Sequence, residues 1–238
     1  MADKLKSAAE KPTNDTADIR AQRNMSDKTI GVMLVDDHAV VRMGFRLLLE
    51  GSRDIVVLGE ADSGEEAVRQ FAELKPDVMV MDISMPGIGG LEAIERILAK
   101  EPATRILVLS AHEDAMHARR VLKAGAAGYL TKRSAAEELI RAIGLVHQGK
   151  TYLEPGIAQQ MAMEQLSGER NPVDTLSEKE FKVFLALAKG QSVQDIADVM
   201  SLSPRTVGTH LYNIKQKLGA SNSAELAIIA MRAGLIET

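Results

Sequence analysis

Five side chains in this 238-residue sequence are placed where they could do chemistry together. Asp36 and Asp37 follow the apolar run Ile30–Val35. Asp82 follows a second apolar run, Ser110 follows Arg105–Leu109, and Lys132 follows Ala127–Leu130. Three carboxylates converging on one crevice repel one another unless a cation neutralises them. All-oxygen ligands with open positions suit Mg²⁺, which keeps several waters and binds through a few carboxylates plus a phosphate. A carboxylate facing such an ion is a nucleophile toward phosphorus, and Asp82 stands alone at its strand end, with Asp36 and Asp37 left to the metal. Lys132 would offset charge on phosphoryl oxygens, and the Ser110 hydroxyl would donate to a bound phosphoryl group. Asp and Ser favour turns in any protein, so each alone is an ordinary turn residue. Five at the strand ends of one open sheet are a site.

The elements that must position them are legible from hydrophobic period. Short apolar runs at Ile30–Val35, Ile55–Leu58, Asp77–Met81, Arg105–Leu109 and Ala127–Leu130 read as strands. Between and after them lie helical patterns at Ala39–Leu49, 63–74, Leu91–Ala99, Ala115–Lys123 and 134–147. Ser63-Gly-Glu-Glu66 and Ser134-Ala-Ala-Glu137 fit capping boxes. Five strands alternating with five helices predict an α/β domain with a five-stranded parallel sheet covered on both faces. In such sheets ligands sit beyond the carboxyl ends of the strands, where the five residues fall.

Residues 30–147 resemble a two-component receiver domain, through VDDH (35–38), MDISMPGIGG (81–90), LSAH (109–112) and GYLTK (128–132). The resemblance implies the flavodoxin-like strand order 2-1-3-4-5 and a phosphoacceptor at Asp82 served by a sensor histidine kinase. It implies that Asp36, Asp37, Asp82 and the main-chain carbonyl of Ser84 hold Mg²⁺. Ser110 and Tyr129 match the family's switch pair, a hydroxyl that follows the phosphate and a ring that turns inward. Ser110 replaces the commoner Thr. Beyond aspartyl self-phosphorylation and self-dephosphorylation, no enzymatic activity is expected. Ser84 stands where an aspartate-nucleophile phosphatase wants a second acid, which disfavours that chemistry.

Gly144–Thr151 satisfies the P-loop pattern G-x-x-x-x-G-K-T. That motif needs a strand before it and a helix after it. Here a helical pattern runs into it and Pro155 follows, so it reads as a helix end with Gly149 as C-cap.

Residues 149–175 carry Gly149, Pro155, Gly156, Gly168 and Pro172 and read as a linker with a short helix around 157–166. Residues 176–238 have no strand pattern and read as an all-α domain of four helices, at about 177–188, 192–200, 204–217 and 222–233. Ser203-Pro204 is a strong helix start. The helix after it carries Arg205, Lys215 and Lys217 and no acid from 203 to 218. A helix, a tight turn and a basic helix suit insertion into the major groove of double-stranded DNA.

LSEKE (176–180), GQSVQDIA (190–197) and SPRTVGTHLYNIKQKLGA (203–220) resemble the NarL/FixJ/LuxR-type helix-turn-helix. MPGIGGLEA (85–93), AGAAGYLTK (124–132) and IAQQMA (157–162) resemble the GacA/UvrY-type branch. The resemblance implies a transcription regulator that dimerises when phosphorylated and reads a two-fold DNA site. One residue departs from the pattern: Gly208 stands where the family usually has Lys. Base readout then falls on Thr209 and Tyr212, with Arg205, Thr206, Asn213 and Lys217 nearer the phosphates. A receiver-based protein–protein adaptor, its DNA binding weakened by Gly208, is the rival.

Composition sets the outer bounds. Lys+Arg total 29 against 33 Asp+Glu, a net charge of −4 that argues against indiscriminate nucleic-acid binding. There is no Cys, which excludes a disulfide scaffold and a thiolate site. No apolar run is long enough to span a bilayer, so a cytoplasmic protein is expected. Residues 1–28 are polar and small and read as a disordered tail.

Overall fold

A computed structural model describes residues 29–134, 136–167, 171–233 and 235–236. The expected tail, 1–28, lies outside the described residues. The first domain interleaves β1 (Ile30–Val35), α1 (Ala39–Glu50), β2 (Ile55–Ala61), α2 (Gly64–Leu74), β3 (Val78–Met81), α3 (Gly89–Lys100), β4 (Ile106–Ser110), α4 (Ala115–Lys123), β5 (Gly128–Thr131) and α5 (Ala136–His147). All strands are parallel, in the order β2-β1-β3-β4-β5 that was expected, but a sixth strand, β6 (Tyr152–Leu153), extends the sheet beyond β5.

Alternation sorts the strand residues to two faces. Met33, Val35, Met79, Met81, Ile106 and Val108 pack with α2, α3 and α4. Val32, Leu34, Val78, Val80, Leu107 and Leu109 pack with Leu49 of α1 and with Leu139, Ala142, Ile143 and Val146 of α5. Helices on both faces leave the strand ends as the place where polar groups can meet water and ligand.

In the stretch 149–175 the expected short helix is present, and part of the stretch packs on the first domain. That part belongs to the receiver: Tyr152 pairs with Gly128, and α6 (Pro155–Ser167) sends Ile157 into the core. Glu154, between β6 and α6, accepts hydrogen bonds from Thr131 N–H (2.8 Å) and Ser134 Oγ (2.9 Å). Two paired residues are too short a run to show a strand period. The Ser63 cap is half of the box the spacing suggests. Its hydroxyl accepts from Glu66 N–H (3.4 Å), but the Glu66 carboxylate turns to Arg69 and Gln70. At the P-loop-like segment, Gly149 has φ +79° and Lys150 N–H bonds Leu145 O (3.0 Å), a helix end with a left-handed glycine.

The second domain holds a 3₁₀ turn (Pro172–Thr175), α7 (Glu178–Ala188), α8 (Val193–Val199), α9 (Pro204–Leu218) and α10 (Ser223–Arg232) around Phe181, Phe184, Ile196, Val207, Ile214 and Leu226. Ser177 and Glu180 form a complete capping box at α7. Ser201, at φ +54°, turns the chain between α8 and α9, and Ser203 caps α9 by accepting from Thr206 N–H (3.1 Å).

Candidate functional site

The ends of β1, β3 and β5 bring Asp36, Asp37, Asp82 and Lys132 together. Asp36 and Asp82 are 5% and 2% exposed. Lys132 Nζ lies 2.6 Å from Asp36 Oδ2 and 2.8 Å from Asp82 Oδ2, which makes it the bridge between two buried carboxylates. Burial works to lower the Lys132 pKa, but the hydrogen bonds to Asp36 and Asp82 outweigh it and the ammonium is held above its ordinary value. The other carboxylate oxygens are fixed by main chain: His38 N–H donates to Asp36 Oδ1 (2.8 Å) and Ser84 N–H to Asp82 Oδ1 (3.0 Å). That second bond places Ser84 beside Asp82, in the turn after β3.

Asp37 is different. Its Oδ1 is buried with no hydrogen bond among the described residues, and His38 Nδ1 lies 2.9 Å from it. Ligand atoms of Asp36, Asp37, His38 and Asp82 all lie within 4.8 Å of one another. An unsatisfied buried carboxylate oxygen inside a cluster of acids is what a divalent cation would satisfy, so the residues fit such an ion. His38, whose role the sequence did not show, serves the cluster with both its backbone and its ring.

Gly90 is a second residue whose part the sequence left unstated. A Cβ there would lie 2.2 Å from the Asp82 carbonyl oxygen and 2.6 Å from Ile83 Cα. Only glycine lets the first turn of α3 press this closely on the end of β3, and Gly90 N–H bonds Ile83 O (3.3 Å) across the gap.

Ser110 and Tyr129 meet through His112. Ser110 is fully buried, and its Oγ accepts from His112 N–H (3.1 Å). The Tyr129 ring is also fully buried, and its hydroxyl donates to the His112 carbonyl (2.7 Å). Burial pushes the Tyr129 phenol well above its usual range, so the hydroxyl is a proton donor throughout the physiological range. With β6 outside β5, Tyr129 is no edge-strand aromatic; it stands inward under the loop that follows β4. Burial, then the neighbouring His117, holds the His112 imidazole below its ordinary value.

Beside this loop a cleft of about 650 Å³ lies between the two domains, lined by Asp37 and Ser84 of the first and by Ile196 and Val199 of α8. Its walls are tied together at α4 and α7. The Arg120 guanidinium lies 4.1 Å from the Phe181 ring centroid and 3.1 Å from Glu178. It also donates to the Leu176 carbonyl (3.2 Å). Met116 of α4 packs into the core of the second domain. A second domain anchored on α4 stands next to the loop carrying Ser110 and His112.

In the second domain α9 turns Val207 and Ile214 inward and leaves Arg205, Thr206, Thr209 and Tyr212 exposed, Tyr212 to 64%. Asn213 is half-buried. The Thr206 hydroxyl meets Ser203 Oγ (2.8 Å), and Thr209 donates to the Arg205 carbonyl (3.1 Å). Lys217 is placed differently from the other expected contacts. Its Nζ lies 2.6 Å from the Oε2 of Glu180, a residue 5% exposed, and it donates to the Thr175 carbonyl (3.3 Å). Its charge is spent holding α9 to α7, because a buried carboxylate attracts the nearest long cation.

The chain matches two family descriptions: "Response regulator receiver domain" over residues 32–144 and "Bacterial regulatory proteins, luxR family" over 174–230. It is 43% identical over 210 residues to the response regulator GacA of Pseudomonas viridiflava, covering 87% of this chain and 98% of that protein. The chain is a two-component response regulator with a LuxR-type DNA-binding domain. The regulator is also 43% identical over 208 residues to UvrY of Escherichia coli K12, covering 87% of the regulator and 95% of that protein. Among solved structures it is similar to RcsB of Salmonella enterica serovar Typhimurium bound to promoter rprA in the presence of phosphomimetic BeF₃⁻. That likeness has a TM-score of 0.63 at 25% identity, over 84% of the regulator and 98% of that chain. Among the described residues no helix of the regulator is long and apolar enough to cross a membrane.

Proposed function

We propose that a sensor histidine kinase passes a phosphoryl group to Asp82 and that the charged pocket then sets the DNA affinity of α9. The observation that carries this reading is the Asp36–Lys132–Asp82 bridge beside an unsatisfied Asp37 oxygen. Three carboxylates against one ammonium accept a further anion only with added positive charge. Asp36, Asp37, Asp82 and the Ser84 carbonyl would hold Mg²⁺, which supplies that charge when bound. The Asp82 carboxylate forms the new O–P bond as the P–N bond of a phosphohistidine donor breaks. Lys132 stays within reach of the incoming oxygens, and Ser110 turns its hydroxyl toward them. This is self-directed phosphoryl chemistry, without turnover of a separate metabolic substrate.

Drawing Ser110 inward pulls on the His112 N–H it accepts, and Tyr129 holds the same residue by its carbonyl. The loop after β4 therefore moves with the switch pair, and α4, next in the chain, carries the second domain. Arg205, Thr206, Thr209, Tyr212 and Asn213 supply DNA contacts; Lys217 supplies them only after leaving Glu180. RcsB bound to DNA with BeF₃⁻ supports a phosphate-dependent DNA-binding form, and two RcsB dimers on DNA support a dimer. A cytoplasmic setting follows from double-stranded DNA as the partner.

The test is labelling of the full chain by a small phosphodonor with Mg²⁺. One phosphoryl group on Asp82, absent in Asp82→Asn, is expected. Labelling retained in Asp82→Asn overturns the assignment.

A further inference from the structure

The loop after β4 carries a second cluster of metal-ligating side chains, away from the acids. His112, Asp114 and His117 place one ligand atom each within 4.8 Å of one another. The two imidazoles lie face to face, with ring centroids 3.8 Å apart and planes 2° from parallel. His117 is oriented by its Nδ1, which lies 2.7 Å from Asp114 Oδ2, leaving Nε2 uncommitted to that carboxylate. Asp114 is fixed in turn as the N-cap of α4, accepting from His117 N–H (2.9 Å). The His112 ring has no hydrogen bond among the described residues, although its main chain is held on both sides by Ser110 and Tyr129.

We propose that His112 and His117, with Asp114 as the outer partner of His117, form a binding site for a late first-row divalent ion such as Zn²⁺. Imidazole nitrogens suit such ions, with water completing the shell, whereas Mg²⁺ prefers all-oxygen sites like the acidic pocket. A carboxylate hydrogen-bonded to a ligating histidine is the usual outer partner that fixes the ring, and Asp114 already stands in that relation to His117. Entry is open, because both histidines line the cleft between the domains. Metal–nitrogen distances of about 2.0–2.1 Å require the stacked rings to tilt until both nitrogens aim at one point. His112 can make that tilt, since only its main chain is tied. His117 meets Phe181 of the second domain edge-on, with centroids 5.4 Å apart. A bound ion therefore sits between the switch loop and the DNA-binding domain.

The probe is Co²⁺, titrated into the full chain with excess Mg²⁺ covering the acidic pocket. The readout is visible absorption, followed by displacement with Zn²⁺. One equivalent of Co²⁺ with a tetrahedral spectrum is expected. The signal should be lost in His112→Gln and in His117→Gln, and affinity should weaken about tenfold or more in Asp114→Asn. His112 is only half-buried, so His112→Gln keeps the test decisive if His117→Gln does not fold. No saturable Co²⁺ binding overturns the site. So does binding unchanged in His112→Gln, or a signal lost in His38→Gln and kept in His112→Gln, which would put the ion among the acids.

Discussion

In the receiver, Lys132 is held between two carboxylates that are at most 5% exposed, and their other oxygens are fixed by turn amides. In the DNA-binding domain most of the residues proposed to meet DNA stand in solvent on one helix, and two of them spend their hydroxyls on local bonds. The difference is one of timing. The receiver is organised before its ligand arrives, whereas α9 presents a face whose contacts are completed by the partner. A preformed site is sensitive to any change of shape or charge around it; an exposed face is sensitive mainly to its own helix and to what it meets.

Removing charge from the pocket should have the largest effect. Lys132→Ala leaves Asp36 and Asp82 adjacent and unpaired, which should cost about 3 kcal/mol in urea unfolding without divalent cations. Saturating Mg²⁺ should restore more stability to this variant than to the parent. Equal gains would mean the acids do not depend on Lys132.

The same substitution should then have opposite signs in the two regions. Gly90→Ala drives a Cβ onto the Asp82 carbonyl and should destabilise by roughly 1–3 kcal/mol. Gly208→Ala meets nothing within 4 Å and sits in mid-helix, so it should stabilise the DNA-binding domain by about 1 kcal/mol. Thermal unfolding of both variants checks the pair; equal signs would break the contrast.

Between these lies the ion pair of the exposed Lys217 in α9 with the buried Glu180 in α7. Burial works to raise the Glu180 pKa, but Lys217 and the Ser177 N–H outweigh it and hold the carboxyl below its ordinary 4.5. A depressed folded-state value stabilises the protein fully above the unfolded value and is lost as pH falls through the folded one. Lys217→Ala should therefore cost about 1–2 kcal/mol at neutral pH, with the gap to the parent closing in acid. A gap independent of pH would assign Lys217 to packing alone.

What the sequence could reveal follows the same division. The strand-end acids were legible because apolar runs fix where each strand stops, and a parallel sheet gathers those stops at one edge. β6 was not legible, because a two-residue strand has no period to read. The role of Gly90 depends on the distance between α3 and β3, which no local pattern encodes. The charge and helix position of Lys217 are visible in the sequence but its partner is not, because the buried Glu180 is 37 residues away in the chain. The His112–His117 stack depends likewise on how one loop folds over the start of α4.

The most direct test of the coupling between the two regions is the equilibrium affinity of the full chain for promoter DNA, with and without beryllofluoride and Mg²⁺, as salt is raised. The account predicts tighter binding with beryllofluoride at every salt concentration, and no such gain in Asp82→Asn. Affinity that is the same with and without beryllofluoride, or a gain that persists in Asp82→Asn, would contradict it.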